Sequence, residues 1–142
     1  MQSAKWLLAA ILASAAFAAP AAPGDPVKVV YHNNEDVDRA PQMIRNIRNH
    51  LAADPKVKIV VVSHAAGINF LLRDAKDKNG NPFEVSVQDL VSKGVDFRAC
   101  EYTLKARNID PKMVIEEARL VPSGVAEVSR LQSQEGYAYL KP

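Results

Sequence analysis

One run of residues constrains the fold more than any other: Val57-Lys58-Ile59-Val60-Val61-Val62-Ser63-His64. It is almost continuously apolar and rich in β-branched side chains, which favour an extended backbone. It shows no apolar–polar alternation, so neither face is left for water. A strand of this kind is covered on both faces, as in a parallel sheet flanked by helices. Residues 27–32 form a similar strand, bounded by Pro26 and by the turn-forming pair Asn33-Asn34. Residues 95–99 form a third, after Gly94. Residues 119–122 and 137–140 are short strands.

The intervals read as helices. Ala40, Ile44, Ile47 and Leu51 recur at steps of four, three and four. That predicts a helix entered at Asp38 and ended by Asp54-Pro55. Ile68, Leu71, Leu72 and Ala75 suggest a short helix after the tight Ala65-Ala66-Gly67 connection. Ser86-Val87-Gln88-Asp89 resembles a capping box, opening a helix that Gly94 stops. Further helices are expected over 101–108, over 111–117, and after Ser123, the last with apolar positions Val125, Val128 and Leu131. Strands alternating with helices predict one α/β domain with a parallel sheet.

Several function classes are excluded. The net charge of +2 is small, and no basic run is interleaved with aromatics, so nucleic-acid binding has no support. There is no glycine-rich phosphate loop and no G-x-S-x-G. Residues 77–82 form a polar turn whose glycine comes too early for a calcium loop. The first residues carry Lys5, an apolar run over 6–17 and Ala16-Phe17-Ala18. They read as a signal peptide over 1–18, followed by a flexible leader over 19–26 and a domain over 27–142. The run is shorter than the roughly 20 residues that span a bilayer, so no membrane association is expected after cleavage. A periplasmic or secreted protein follows.

Export sharpens the meaning of Cys100, the only cysteine. It cannot form an intramolecular disulfide; it is buried and inert, paired between chains, metal-bound or reactive. It ends the third strand where a helix begins. His64 ends the second strand and His32 the first. Ligands in open parallel sheets bind beyond the carboxyl ends of strands. Cys100 is therefore the candidate nucleophile, with His32 and His64 as proton partners and Arg98, on the same strand face, favouring the thiolate. Asn33, at the end of the first strand, joins the binding set. Two imidazoles and a thiolate also suit zinc or copper, with Met43 or Met113 as an axial ligand, but no short-range ligand spacing supports a metal and no cofactor is assigned. Asp96 and Arg98 on an interior strand need pairing, solvent or another subunit.

The segment Lys93-Gly94-Val95-Asp96-Phe97-Arg98-Ala99-Cys100-Glu101-Tyr102-Thr103-Leu104 resembles the cysteine strand of DsrE/DsrF-like proteins. Val60-Val61-Val62-Ser63-His64-Ala65-Ala66-Gly67, Val121-Pro122-Ser123-Gly124 and Gly136-Tyr137-Ala138-Tyr139 extend the resemblance over most of residues 27–142. It implies a three-layer α/β/α domain with a five-stranded parallel sheet whose first three strands are neighbours. It also implies a homo-oligomer, trimer or hexamer. Sulfur-relay members carry a persulfide on the cysteine matching Cys100 and pass it to a partner protein, so a sulfur donor or acceptor is an expected partner. Those members are cytoplasmic, and small residues follow their cysteine where this chain has Glu101-Tyr102-Thr103-Leu104-Lys105. The expected function is the handling of reactive sulfur in the periplasm. The alternative is a non-catalytic oligomeric binding module for a metal or small ligand.

Overall fold

The computed structural model describes residues 24–142. The expected signal peptide, and the expected leader up to residue 23, lie outside the described residues. Five strands, β1 (Lys28–Asn33), β2 (Lys58–Ser63), β3 (Asp96–Cys100), β4 (Ala118–Val121) and β5 (Ala138–Leu140), form one sheet in the order β4-β3-β2-β1-β5. All pairs are parallel. Four α-helices connect them: α1 (Ala40–Ala53), α2 (Phe83–Ser92), α3 (Glu101–Ala106) and α4 (Gly124–Glu135).

The apolar run of β2 sits at the centre of the sheet and is buried on both faces. The two sides are unequal. Ile59 and Val61 join Tyr31, Phe97, Ile47, Val87, Leu90 and Leu104 in a large core under α1 and α2. Val60 and Val62 face the other way, with Val30, into a small cluster closed by Val128 and Leu131 of α4. One helix covers that second face, and the odd-even alternation of β1, β2 and β3 sends His32, His64 and Cys100 to it.

Several local readings change. Asp36, rather than Asp38, provides the cap, accepting from the Val37 amide at 2.6 Å ahead of a 3-10 turn over Val37–Arg39. Helix α2 begins at Phe83, so Ser86 lies inside it and caps nothing. Residues Ala65–Leu71 form 3-10 turns rather than an α-helix. Over 111–117 only Pro111–Met113 is helical, again as 3-10. There the Ile115 amide donates to the Leu71 carbonyl at 3.0 Å and the Arg73 amide to Met113 at 2.7 Å, so bonds to a neighbouring segment replace those a helix would make. Val125 is 60% exposed, and α4 buries Gly124, Val128 and Leu131 instead.

The charges on β3 find partners within the chain. Arg98, buried, donates to Asp96 Oδ2 from Nε at 3.0 Å and from Nη2 at 2.6 Å, and its Nη1 meets Glu127 of α4. Asp96 also accepts from Arg119 at 2.8 Å. A second subunit is not required to satisfy them. Among the described residues, no helix is long and apolar enough to cross a membrane.

Candidate functional site

The first three strands are neighbours, and their carboxyl ends bring the expected side chains together. Ser63 pairs with Ala99, which sets His64 and Cys100 one step further along side by side. Both pack on Gly124 at the start of α4. A β-carbon there would lie 3.0 Å from His64 Cβ and 3.3 Å from Cys100 Cβ, so a larger residue would push into both. His32 and His64 occupy diagonal positions on the same face.

The imidazoles of His32 and His64 meet through their Nε2 atoms at 2.6 Å. Their centroids are 4.8 Å apart and their planes differ by 21°. That separation is close to the N···N distance plus the two ring radii. The rings therefore meet end to end and nearly coplanar, not face to face. Two lone pairs at this distance would repel, and two protons would collide. One shared proton satisfies the pair. His32 Nδ1 is hydrogen-bonded to Tyr139 Oη at 2.7 Å. Burial, then the neighbouring His64, then Lys141, hold His32 below its ordinary pKa; burial and Lys141 do the same for His64. Lys141 is itself paired with Glu35 at 3.3 Å and donates to Asn34.

Cys100 is 5% exposed and has extended backbone angles immediately before α3. Burial raises its pKa, but hydrogen bonds from the Thr103 hydroxyl and from the amides of Gly124, Thr103 and Tyr102 act the other way, and the net position is below the ordinary thiol value. These donors favour the charged sulfur directly. The Thr103 hydroxyl is oriented for this. Its oxygen accepts from the Ala65 amide at 3.0 Å, leaving its single proton for the sulfur. Ala65 has a φ of 51°, a left-handed backbone that is strained for a side chain with a β-carbon.

The other two sequence candidates stand apart from the sulfur. Arg98 lies on the same face, but its guanidinium is taken up by Asp96 and Glu127. Asn33 points to the opposite face, where its Nδ2 donates to the Gly67 carbonyl at 3.0 Å and anchors the 65–71 segment. Met43 is buried in the large core, and Met113 lies in the turn after α3. Among the described residues no group of three or more His, Cys, Asp and Glu side chains is placed to hold a metal ion.

Sequence reasoning missed Thr103, Gly124, Ala65 and Tyr139. Thr103 had a readable signal, since it lies one helical turn beyond Cys100. Tyr139 had none, because it reaches His32 only through the pairing of β5 with β1. The sizeable clefts are elsewhere: one of about 510 Å³ lined by Arg48, Leu51, Ala52, Pro55 and Lys93, another of about 600 Å³ bordered by Pro26, Glu135 and Gly136. Neither is lined by Cys100, His32 or His64. Cys100 is buried, while Tyr102, two residues on, and Val125, next to Gly124, are 62% and 60% exposed.

Solved structures share the fold. A structure of a protein of unknown function, MTH1491 from Methanobacterium thermoautotrophicum, is 36% identical and aligns over 82% of this chain and 99% of its own, with a TM-score of 0.72. The ychN protein of E. coli aligns over the same shares at 12% identity and a TM-score of 0.61, a likeness of fold. No curated protein matches the chain. The DsrE/DsrF-like family model matches residues 26–142, and the chain belongs to that family.

Proposed function

We propose that this protein handles reactive sulfur in the periplasm or outside the cell, with Cys100 as the persulfide acceptor. Family membership supports sulfur-related chemistry in general. The observation that carries the specific reading is the set of donors around Cys100 Sγ: one hydroxyl and three backbone amides, arranged to favour an anionic sulfur. In the first step the Cys100 thiolate attacks the outer, sulfane sulfur of a donor R–S–SH. The new S–S bond forms on Cys100 as the donor's S–S bond breaks. The electron pair and negative charge leave on R–S⁻, so no external oxidant or reductant is needed. A thiolate acceptor then attacks the outer sulfur of Cys100–S–SH, the S–S bond breaks, and the same donors take up the charge as Cys100 Sγ leaves as the thiolate. His64, beside Cys100 across Gly124, is the nearby base for protons released at the surface.

Incubation of the purified protein with polysulfide, followed by intact mass measurement, tests this reading. A reversible gain of about 32 Da, removed by a thiol reductant and absent in Cys100→Ser, is expected. The absence of that adduct on the unmodified protein, or its persistence in Cys100→Ser, would refute it. The family resemblance also supports a homo-oligomer; light scattering at micromolar concentration should give a mass of three or six chains.

A further inference from the structure

The chain has three histidines. His50, on α1, is bonded to the Tyr31 hydroxyl at 3.0 Å. The other two, partly exposed at the carboxyl ends of β1 and β2, aim their Nε2 atoms at each other, end-on. We propose that the His32–His64 pair is a binding site for a linear two-coordinate monovalent d10 cation, copper(I) or silver(I), held between the two Nε2 atoms.

The ring geometry selects this class of ion. Imidazole is a good ligand for copper, and a d10 monovalent ion accepts two collinear nitrogen donors as a complete set. Zinc in a structural site needs four protein ligands, and three in a catalytic one. No third His, Cys, Asp or Glu is placed to complete such a group among the described residues. Two near-coplanar rings meeting end-on already present the axis a linear ion requires. With metal–nitrogen bonds of about 2 Å, the Nε2 atoms must part to about 4 Å. Small rotations of two partly exposed side chains supply that movement.

Tyr139 completes the site. In the hydrogen-bonded pair, His32 can carry its proton on Nε2 and accept from the Tyr139 hydroxyl at Nδ1. When Nε2 binds a cation, that proton must sit on Nδ1 and needs an acceptor. Tyr139 Oη, 2.7 Å away, serves by turning its own hydrogen outward. Metal-binding histidines are commonly oriented by such a partner on the other ring nitrogen. The exchange balances: one cation enters, the His32 proton moves from Nε2 to Nδ1, no proton leaves and no electron is transferred. The nearby cation Lys141 is matched by Glu35.

The site does not use Cys100, so its fate is separable from that of the sulfur reading. Silver(I) is added to the Cys100→Ser protein in chloride-free buffer, with binding followed by calorimetry and imidazole nitrogen resonances by NMR. Uptake of one equivalent is expected, with the His32 and His64 Nε2 signals shifting together. His32→Ala or His64→Ala, in the Cys100→Ser background, should each weaken binding at least about tenfold. Tyr139→Phe should weaken it about tenfold. His50→Ala should leave it unchanged. No uptake by Cys100→Ser, uptake that moves neither Nε2 signal, or uptake indifferent to both alanine variants would overturn the assignment. Because the NMR signature is read on a protein with both histidines intact, the result stands even if an alanine variant fails to fold.

Discussion

The Ala65 amide donates to Thr103 Oγ1 at 3.0 Å, across the 3-10 segment and α3. This bond joins the carboxyl end of β2 to the thiol at the end of β3. It consumes a lone pair of the hydroxyl and turns its proton toward Cys100 Sγ. Replacing Thr103 by Val keeps the shape and removes that donor. The Cys100 pKa should then rise, because burial remains and the opposing hydrogen bonds are fewer. Alkylation by iodoacetamide as a function of pH reads this out. Its midpoint should lie below the ordinary thiol value in the parent protein and move upward in Thr103→Val, while Thr103→Ser should restore it. An unchanged midpoint in Thr103→Val would show that the hydroxyl does not act on the sulfur.

Gly67 allows the same segment to cross the end of β1. A β-carbon at this position would stand 2.3 Å from the Asn33 carbonyl oxygen and 2.9 Å from Asn34 Cα, both backbone atoms. Those atoms are fixed: the Asn33 carbonyl accepts from the His64 amide at 3.1 Å, and the Asn33 side chain bonds the Gly67 carbonyl. Neither can yield without breaking the junction that places His64. Gly67→Ala should destabilise the protein by about 3 kcal/mol, the upper part of the range for overpacking. Urea denaturation gives the value; a cost below about 1 kcal/mol would mean that the crossing relaxes.

Legibility differed between the sheet and the site. The β2 run declared itself because burial on two faces leaves a local mark in composition. Helices α1 and α4 were likewise visible through their spacing, although Val125 showed that an apolar residue at helical spacing can still face solvent. The 111–117 segment misled because its backbone bonds go to Leu71 and Arg73, partners that no local pattern reveals. At the site, His32, His64 and Cys100 were found by their shared place at strand ends. The end-on meeting of the imidazoles could not be foreseen. It depends on the diagonal offset of β1 and β2, and on a tyrosine brought in by the C-terminal strand. The charge on Arg98 was seen, but its role changed once α4 was known to carry Glu127 over it.

That ion pair makes a stability prediction with a defined pH window. Glu127, with 14% of its side chain exposed, accepts from Arg130 Nε and Nη2, each at 2.9 Å, and from Arg98. Hydrogen bonds from Arg130, opposed by burial and reinforced by Arg98, hold its carboxyl at about 2, below an ordinary value of 4.5. The folded state therefore binds its proton less readily than the unfolded chain. The stabilisation is fully present above pH 4.5 and fades as pH falls toward about 2. Glu127→Gln removes the anion and leaves Arg98, buried, with Asp96 alone. At neutral pH this should cost about 3 kcal/mol, the loss expected on breaking a buried pair from one side. The difference between the two proteins should shrink steadily below pH 4.5 as the parent carboxyl protonates. Urea titrations at neutral pH and at several acidic values decide the matter. A difference constant across the acid range would show that Glu127 stabilises through packing, not through its charge.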